Sequence, residues 1–246
     1  MKPYHFLACA AAAIAVSACN SQQGNEAANA PINLEQVPPP KGGDWTTVVT
    51  ETPAGYMMGN PDAKVKLVEI GALTCPHCGE FDERGVPTLV DKYVKSGQVS
   101  WEFRPYLLSG LDLPAVMIAG CNGAQTFFPL MRALYKDQAT WLEKFQSTPR
   151  EQLEQLETLA PNQLPLQAAK FAGLQDWAAV RGVPPARSTQ CLTDASKVDK
   201  LVQSSQAVTN EFPQFPGTPS FILNGKMLEQ TASWETLEPK LREALR

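Results

Sequence analysis

Val65-Lys66-Leu67-Val68-Glu69-Ile70-Gly71-Ala72-Leu73-Thr74-Cys75-Pro76-His77-Cys78 joins a strand-like run to two closely spaced cysteines. The β-branched and apolar residues of the first half predict a strand. Pro76 suits the first position of a helix, because the N–H that proline lacks would have no partner there. Two cysteines three residues apart on a helix lie about 5 Å apart at Cα, within the range that a disulfide bridges. The stretch therefore predicts a strand–helix junction that carries a pair of thiols, an arrangement typical of thiol–disulfide exchange.

The two cysteines of this junction are expected to differ in reactivity. Cys75 lies at the start of the predicted helix, where the positive end of the helix dipole favours a thiolate. Cys78 lies one turn inside, where it can attack a mixed disulfide formed on Cys75. The imidazole of His77 is expected to favour the thiolate as well; the alternative is an ordinary exposed helix residue.

The N-terminus resembles an export signal. Residues 1–18 combine Lys2 with an apolar run over 6–16 that is too short to span a membrane. Val16-Ser17-Ala18-Cys19 resembles a bacterial lipobox, so we expect cleavage before Cys19 and lipidation of Cys19; cleavage without lipidation is the alternative. Residues 19–44 are rich in Asn, Gln, Ala and Pro and predict a flexible linker. The expected location is the periplasm or an outer membrane surface, with a lipid anchor.

The remaining 200 or so residues suit one domain, 45–246. The net charge of −4 comes without a basic cluster, so nucleic acid is not expected as a partner. Cys75, Cys78, Cys121 and Cys191 remain after export to a compartment that permits disulfides. The close spacing of Cys75 and Cys78 singles out one pairing and leaves Cys121 with Cys191; the alternative is that the latter two are free buried thiols.

The order of predicted elements is β-β-α-β, then helices, then a hairpin and a last helix. The predicted strands and hairpin arms are Trp45–Thr50, Val65–Gly71, Val99–Tyr106, Ser220–Leu223 and Lys226–Gln230, and the predicted helices are Pro76–Ser96 (broken near Gly85 and Pro87), Val116–Leu134, Arg150–Leu159, Leu166–Arg181 and Val198–Phe212. Helical spacing dominates about 111–210, which predicts an all-helical insertion in an α/β core. The last helix carries Pro239, so it either bends there or begins near Glu238.

The domain resembles the DsbA-like family of thiol–disulfide oxidoreductases. The resemblance rests on Cys75-Pro76-His77-Cys78 after a strand, on the helical insertion, and on Gly217-Thr218-Pro219 before a hairpin. It implies a thioredoxin fold with an inserted helical subdomain. No cofactor is expected, and no metal, because a zinc site normally needs four ligands, often two CxxC pairs, and Cys121 and Cys191 stand alone. The resemblance also implies that Cys75 is the nucleophile and Cys78 the resolving thiol.

Four further residues take expected roles from this resemblance. Pro219 corresponds to the family's cis-proline, and Pro76, Thr218 and Pro219 are expected to contact a bound peptide. Glu69 matches a buried acidic residue whose pKa burial would raise, so that it could exchange a proton with Cys78; an ordinary solvated charge is the alternative.

Two sequence features bear on the direction of the reaction. Thr218 stands where the best-known oxidases of the family have Val, and Thr is common there among isomerase-type relatives. Isomerases usually carry a dimerisation region before the core, and residues 19–44 are too short and polar for one. We therefore expect a monomeric oxidase of reduced, unfolded exported proteins, recycled by a membrane quinone-linked reoxidase. The alternatives are an isomerase or reductase with the same site, or a non-enzymatic periplasmic binding lipoprotein with a structural disulfide.

Overall fold

The computed structural model describes residues 34–39, 42–156 and 158–246. The predicted signal peptide and Cys19 lie outside these residues, and so does most of the predicted linker. The described part contains a sheet of six strands in the order β1-β2-β4-β3-β5-β6. The strands are β1 Val49–Glu51, β2 Tyr56–Gly59, β3 Val65–Gly71, β4 Val99–Pro105, β5 Ser220–Leu223 and β6 Lys226–Met227. β3 and β4 are parallel and every other pair is antiparallel, and the predicted thioredoxin fold is confirmed.

Strand β3 lies inside the sheet, between β4 and β5, and both of its faces are covered. Val65 and Leu67 belong to the large core on one face, and Val68 and Ile70 to a smaller core on the other. Because side chains alternate along a strand, Glu69 points to the same face as Leu67. The sequence pattern predicted this placement.

The first helix of the core follows β3 after a four-residue turn, Ala72 to Cys75. Helix α1 spans Pro76–Arg84, a short α2 spans Val86–Thr88, and a π-helical segment follows at Leu89–Val94. The break after Arg84 is the one that Gly85 and Pro87 predicted. α1 packs its buried Cys78 and Phe81 against the large core.

The helical insertion is confirmed and runs from Asp112 to Glu211. Its helices are α3 Asp112–Ala119, α4 Ala124–Lys136, α5 Gln138–Gln146, α6 Arg150–Leu156, α7 Leu164–Phe171, α8 Leu174–Ala179, α9 Pro185–Leu192 and α10 Ala195–Glu211. A disulfide joins Cys121, just after α3, to Cys191 in α9, with a Cα–Cα distance of 5.7 Å. It closes a sequence separation of 70 residues.

The predicted first strand, Trp45–Thr50, is wrong over its first half. Trp45–Thr47 form a 3₁₀ turn, and the strand itself covers only Val49–Glu51. The reason is Asp44, whose carboxylate accepts a hydrogen bond from Thr46 N at 2.9 Å and caps the turn. Strand β2 was not predicted, because Tyr56-Met57-Met58-Gly59 is short and ends in glycine.

Several helix boundaries also differ from those predicted. Gly123, at φ +89°, separates α3 from α4 within the predicted Val116–Leu134, and Gly173, at φ +68°, separates α7 from α8. Helices α5 and α9 were not predicted. The last helix, α11, spans Trp234–Ala244 with Pro239 inside it, so of the two expected alternatives the start near Glu238 is wrong.

The end of the predicted linker contacts the domain. Val37 N donates to Ser96 O at 2.9 Å, and Gln98 Nε2 donates to Glu35 O at 3.1 Å. Both partners precede β4, at the end of the sheet away from Cys75. Within the described ranges, none of the helices has the length and apolar character that crossing a bilayer demands.

Candidate active site

Cys75 lies where β3, α1 and β5 meet. It follows the end of β3 and is the N-cap residue of α1, with Pro76 at the first helical position as predicted. The peptide bond between Thr218 and Pro219 is cis, as the family resemblance implied. Because β5 pairs with β3, the residues before β5 lie against the thiol pair, and the Cys75 thiol donates to the Thr218 carbonyl oxygen at 3.2 Å. Both Cys75 and Cys78 are free thiols in this structure.

The surroundings of Cys75 lower its pKa to about 5. The largest cause is a hydrogen bond from the Cys78 thiol, which opposes the effect of burial. The Thr218 side chain and the backbone N–H groups of Cys78 and His77 contribute further hydrogen bonds. The buried Thr218 Oγ1 makes no other hydrogen bond, which leaves its hydroxyl available to the Cys75 sulfur. A pKa of about 5 favours the thiolate of Cys75 at neutral pH over the thiol that donates to Thr218 O.

Cys78 has the opposite electrostatic environment. It is completely buried, and this burial raises its pKa well above the ordinary value, with the hydrogen bond to Cys75 and the charge of Glu69 acting in the same direction. The two thiols are thus separated in acidity by their positions on one helical turn. Such a pair presents one nucleophile and one protonated partner, which is the asymmetry that disulfide exchange needs.

Glu69 is buried beneath the pair, as the sequence predicted. Burial raises its pKa well above the ordinary value, and the negative charge of Asp82 raises it further. Trp101 Nε1 donates to Glu69 Oε2 at 3.1 Å and partly offsets this rise. A carboxyl group that holds its proton this strongly can supply one to a buried sulfur.

Asp82 and Arg132 extend the charge cluster towards solvent. Burial raises the pKa of Asp82 to about 6, although Arg132 beside it acts to lower that pKa. Arg132 Nε lies 3.3 Å from Asp82 Oδ1. Both residues line a cleft of about 580 Å³ that also contacts Pro76 and Gly79. Sequence reasoning missed this pair, since the two residues lie on different elements 50 positions apart.

The side chain of His77 faces solvent. It is 73% exposed, and its Nδ1 lies 3.2 Å from Glu80 Oε2 on the same helix. The sequence suggested that the imidazole would favour the thiolate. In the structure, the His77 group that lowers the pKa of Cys75 is the backbone N–H.

The turn before α1 is held by residues of the helical insertion that the sequence did not single out. Tyr135 OH donates to Ala72 O at 3.3 Å, and Gln138 Nε2 donates to Leu73 O at 2.8 Å and to Cys75 O at 3.0 Å. Asp112 accepts hydrogen bonds from Thr74. No local sequence signal marks these contacts, because each joins elements that are far apart in the chain.

A larger, mainly apolar cleft of about 880 Å³ opens beside Thr74. It is lined largely by Leu107–Leu111 and by α5 and α7. The predicted peptide contacts lie at this end of the molecule: Pro76 borders the cleft of about 580 Å³ that Asp82 and Arg132 line, and Thr218 O accepts from the Cys75 thiol. In the described part of the chain, no cluster of three or more His, Cys, Asp or Glu residues is arranged to hold a metal ion.

A family model described as thioredoxin matches residues 51–242, which contain strands β2 to β6 and the insertion. The chain belongs to the thioredoxin family. One curated relative is a Rickettsia bellii protein with the provisional name protein-disulfide oxidoreductase. It is 28% identical over 197 residues, which cover 80% of this chain and 66% of the relative. A Rickettsia felis protein of the same name is 27% identical over 211 residues, covering 85% and 66%. The chain thus spans slightly less than two thirds of these relatives.

Solved structures extend the likeness. The crystal structure of a protein-disulfide isomerase from Novosphingobium aromaticivorans has a TM-score of 0.73 and 27% identity, covering 77% of this chain and 96% of that one. Wolbachia pipientis alpha-DsbA1 has a TM-score of 0.59 and 21% identity, covering 77% and 91%, and shares the fold. The resemblance of this thioredoxin-family chain to DsbA-like thiol–disulfide oxidoreductases is confirmed.

Proposed function

We propose that this protein is a thiol–disulfide oxidoreductase that introduces disulfides into exported proteins through Cys75 and Cys78. The observation that carries the proposal is the split acidity of the pair: the pKa of Cys75 is lowered to about 5, and that of Cys78 is raised. Stabilising the Cys75 thiolate stabilises the reduced protein, so the disulfide form becomes an oxidant.

The oxidation follows from this asymmetry. A client thiolate attacks Cys75 Sγ of the oxidised pair, the Cys75–Cys78 bond breaks, and Cys78 leaves as a thiolate that takes a proton from Glu69. A second client thiolate then attacks the client sulfur of the mixed disulfide, and Cys75 leaves as its stabilised thiolate. The client loses two electrons and gains a disulfide, while the protein gains the two electrons and ends with both cysteines reduced.

The alternative function, disulfide isomerisation, is supported by Thr218 and by the similarity to the protein-disulfide isomerase from Novosphingobium aromaticivorans. As an isomerase, the reduced protein would use its Cys75 thiolate to attack an incorrect client disulfide. As an oxidase, the oxidised protein uses its Cys75–Cys78 disulfide to accept electrons from client thiols. A purely structural role for Cys75–Cys78 in a binding lipoprotein is less favoured, because a structural bridge does not need a thiolate with a pKa near 5.

The test measures both activities with the full mature chain. The oxidised protein is given a reduced, unfolded substrate, and the reduced protein is given a substrate with scrambled disulfides. We expect stoichiometric oxidation of the first substrate, and Cys78→Ser should accumulate mixed disulfides on Cys75. Faster repair of the scrambled substrate than oxidation of the reduced one would assign the isomerase role, and inactivity in both assays would leave the structural role.

The location and partners complete the proposal. Export followed by lipidation of Cys19 would place the protein at a periplasmic membrane surface as a monomer, where a membrane quinone-linked reoxidase restores the disulfide. The support is the lipobox-like Val16-Ser17-Ala18-Cys19. Mass spectrometry of the mature N-terminus should find a lipid-modified Cys19, and an unmodified N-terminus at another residue would contradict the anchor.

A further inference from the structure

Polar groups of the turn between β3 and α1 form hydrogen bonds with residues of the helical insertion. Its four residues, Ala72 to Cys75, contact Asp112, Tyr135 and Gln138, and these three side chains are called the turn clamp below. Only one hydrogen bond, from Cys75 N to Ala72 O at 3.1 Å, closes the turn internally. The placement of Cys75 therefore depends on a subdomain that lies outside the sheet.

Asp112 is the most strongly bonded member of the turn clamp. It is completely buried at the first position of α3. Its Oδ1 accepts from Thr74 N at 2.8 Å, and its Oδ2 accepts from Thr74 Oγ1 at 2.9 Å and from Ser109 N at 2.7 Å. One carboxylate thus joins the residue before Cys75 to the loop that precedes α3.

The loop is fixed at its other end as well. Leu107 N donates to Ser205 Oγ in α10 at 3.0 Å, so residues 107–112 form a short bridge between α10 and the turn. Leu107 to Leu111 also line the apolar cleft beside Thr74. Asp112 is therefore the point at which the wall of that cleft meets the turn that carries the nucleophile.

The groups that stabilise the Cys75 thiolate come from elements other than the turn. The Cys78 thiol and the N–H groups of His77 and Cys78 belong to α1, and Thr218 precedes β5. All of them act on sulfur only if Cys75 is held at the correct place and angle, since hydrogen bonds weaken steeply with misalignment. A small displacement of a reacting group can lower a rate by about 100-fold per ångström.

We propose that Asp112 is a positioning residue that holds Thr74 and thereby places the Cys75 sulfur against its thiolate-stabilising donors. The inference deepens the proposed function and rests on it. Asp112 does not touch the reacting sulfurs, and it acts through Thr74.

A charge effect and a positioning effect have opposite signs at Cys75. A negative carboxylate near the thiol would disfavour the thiolate, so removing that charge alone would lower the pKa of Cys75. Loss of positioning would weaken the donors and raise the pKa. Asp112→Asn removes the charge and replaces one of the two acceptor oxygens with an NH2 group, which cannot accept from the N–H of Thr74 or Ser109 that faces it. The two effects then move the midpoint in opposite directions.

The experiment titrates the thiolate of the reduced full-length mature protein by its ultraviolet absorbance. We expect Asp112→Asn to raise the midpoint for Cys75 by about one unit, which is a tenfold loss of thiolate below the midpoint. Thr74→Val keeps the charge and the backbone bond but loses the hydroxyl bond, and should shift the midpoint in the same direction by less. An unchanged or lowered midpoint in both variants would overturn the proposal.

Asp194→Ala is the matched control. Asp194 caps α10 by accepting from Ser196 N at 3.1 Å and from Lys197 N at 3.3 Å, both within its own helix. Its loss should destabilise the insertion and leave the Cys75 midpoint unchanged; an equal rise in this control would mean that any loss of stability moves the midpoint. Should Asp112→Asn fail to fold, Thr74→Val decides alone. The titration needs no client protein, so failure of the oxidation assay and failure of this inference are distinguishable.

Discussion

The two cysteine pairs of this protein have almost the same burial and different chemistry. Cys75 and Cys78 are 4% and 0% exposed, and Cys121 and Cys191 are 0% and 3% exposed. The first pair is present as free thiols and the second as a disulfide. Exposure therefore does not separate the reactive pair from the structural one. The difference lies in the neighbours: Cys75 has a helix N-terminus, the Cys78 thiol and Thr218, whereas Cys121 and Cys191 bridge packed segments of the insertion.

The largest expected contrast comes from deleting each pair. Cys75→Ser should reduce oxidation of an unfolded substrate to background, because the attacked sulfur is gone. Cys121→Ala with Cys191→Ala should retain oxidation and lose stability. A closed loop of about 70 residues corresponds to roughly 4 kcal/mol in the chain-entropy model.

Denaturant unfolding of oxidised proteins and a substrate oxidation assay measure the two effects separately. Full activity in Cys75→Ser would remove the assigned nucleophile. Loss of activity in a folded Cys121→Ala/Cys191→Ala protein would show that the second pair takes part in the chemistry.

The second contrast is the pH dependence of the reactive pair. Alkylation of the reduced protein at Cys75 should rise through a midpoint near pH 5, matching its lowered pKa of about 5. Because the folded pKa lies below the unfolded value near 9, the thiolate contributes stability that is complete above that unfolded value and is lost as the pH falls through 5. The reduced protein should therefore lose stability relative to the oxidised one as the pH falls from about 9 to about 5.

Cys78→Ala provides the control for this profile. The Cys78 thiol is the largest cause of the lowered pKa, so its removal should move the alkylation midpoint upward. A midpoint above pH 8 in the unaltered protein would contradict the thiolate, and with it the oxidant role.

The features compared above differ in how far the sequence predicts them. The strand, Pro76 and the spacing of Cys75 and Cys78 predicted the junction, because those signals are local. The pairing of Cys121 with Cys191 followed from counting thiols in an oxidising compartment, and the disulfide is present. The turn clamp was not predictable, since Asp112 and Gln138 meet the turn only after the insertion folds back onto β3. Asp44 likewise changed a β-rich run into a 3₁₀ turn through one hydrogen bond.

A third, smaller contrast concerns the carboxyl group beneath the reactive pair. The folded pKa of Glu69 is raised by burial and by Asp82, so its stability contribution is complete below pH 4.5 and is lost as the pH rises through the folded pKa. Glu69→Gln should therefore raise the melting temperature at pH 7 and flatten its decrease with rising pH. Each unit of pKa elevation corresponds to about 1.4 kcal/mol.

The same substitution should slow disulfide exchange, because Gln cannot supply a proton to Cys78. Glu51→Gln is the control, since Glu51 is an exposed acid paired with Lys200. A Glu69→Gln protein that is less stable than the unaltered one at pH 7 would mean that Glu69 is not held protonated by its surroundings.

The smallest expected effect lies beside the structural pair. Asp194 follows Cys191 by three residues and caps α10, so Asp194→Ala should cost about 1 kcal/mol. Its folded pKa is lowered by the hydrogen bonds from Ser196, so the cap contributes above the ordinary carboxyl pKa and is lost as the pH falls through the lowered one.

The informative measurement is the same substitution with and without the disulfide. A disulfide acts mainly on the unfolded chain, so the two costs should add within about 0.5 kcal/mol. If instead the effect of Asp194→Ala disappears once Cys121 and Cys191 are alanines, α10 has already separated from the folded core in that protein. The disulfide would then stabilise the packing of the folded protein rather than restrict the unfolded chain. In that case the two cysteine pairs would differ in reactivity alone.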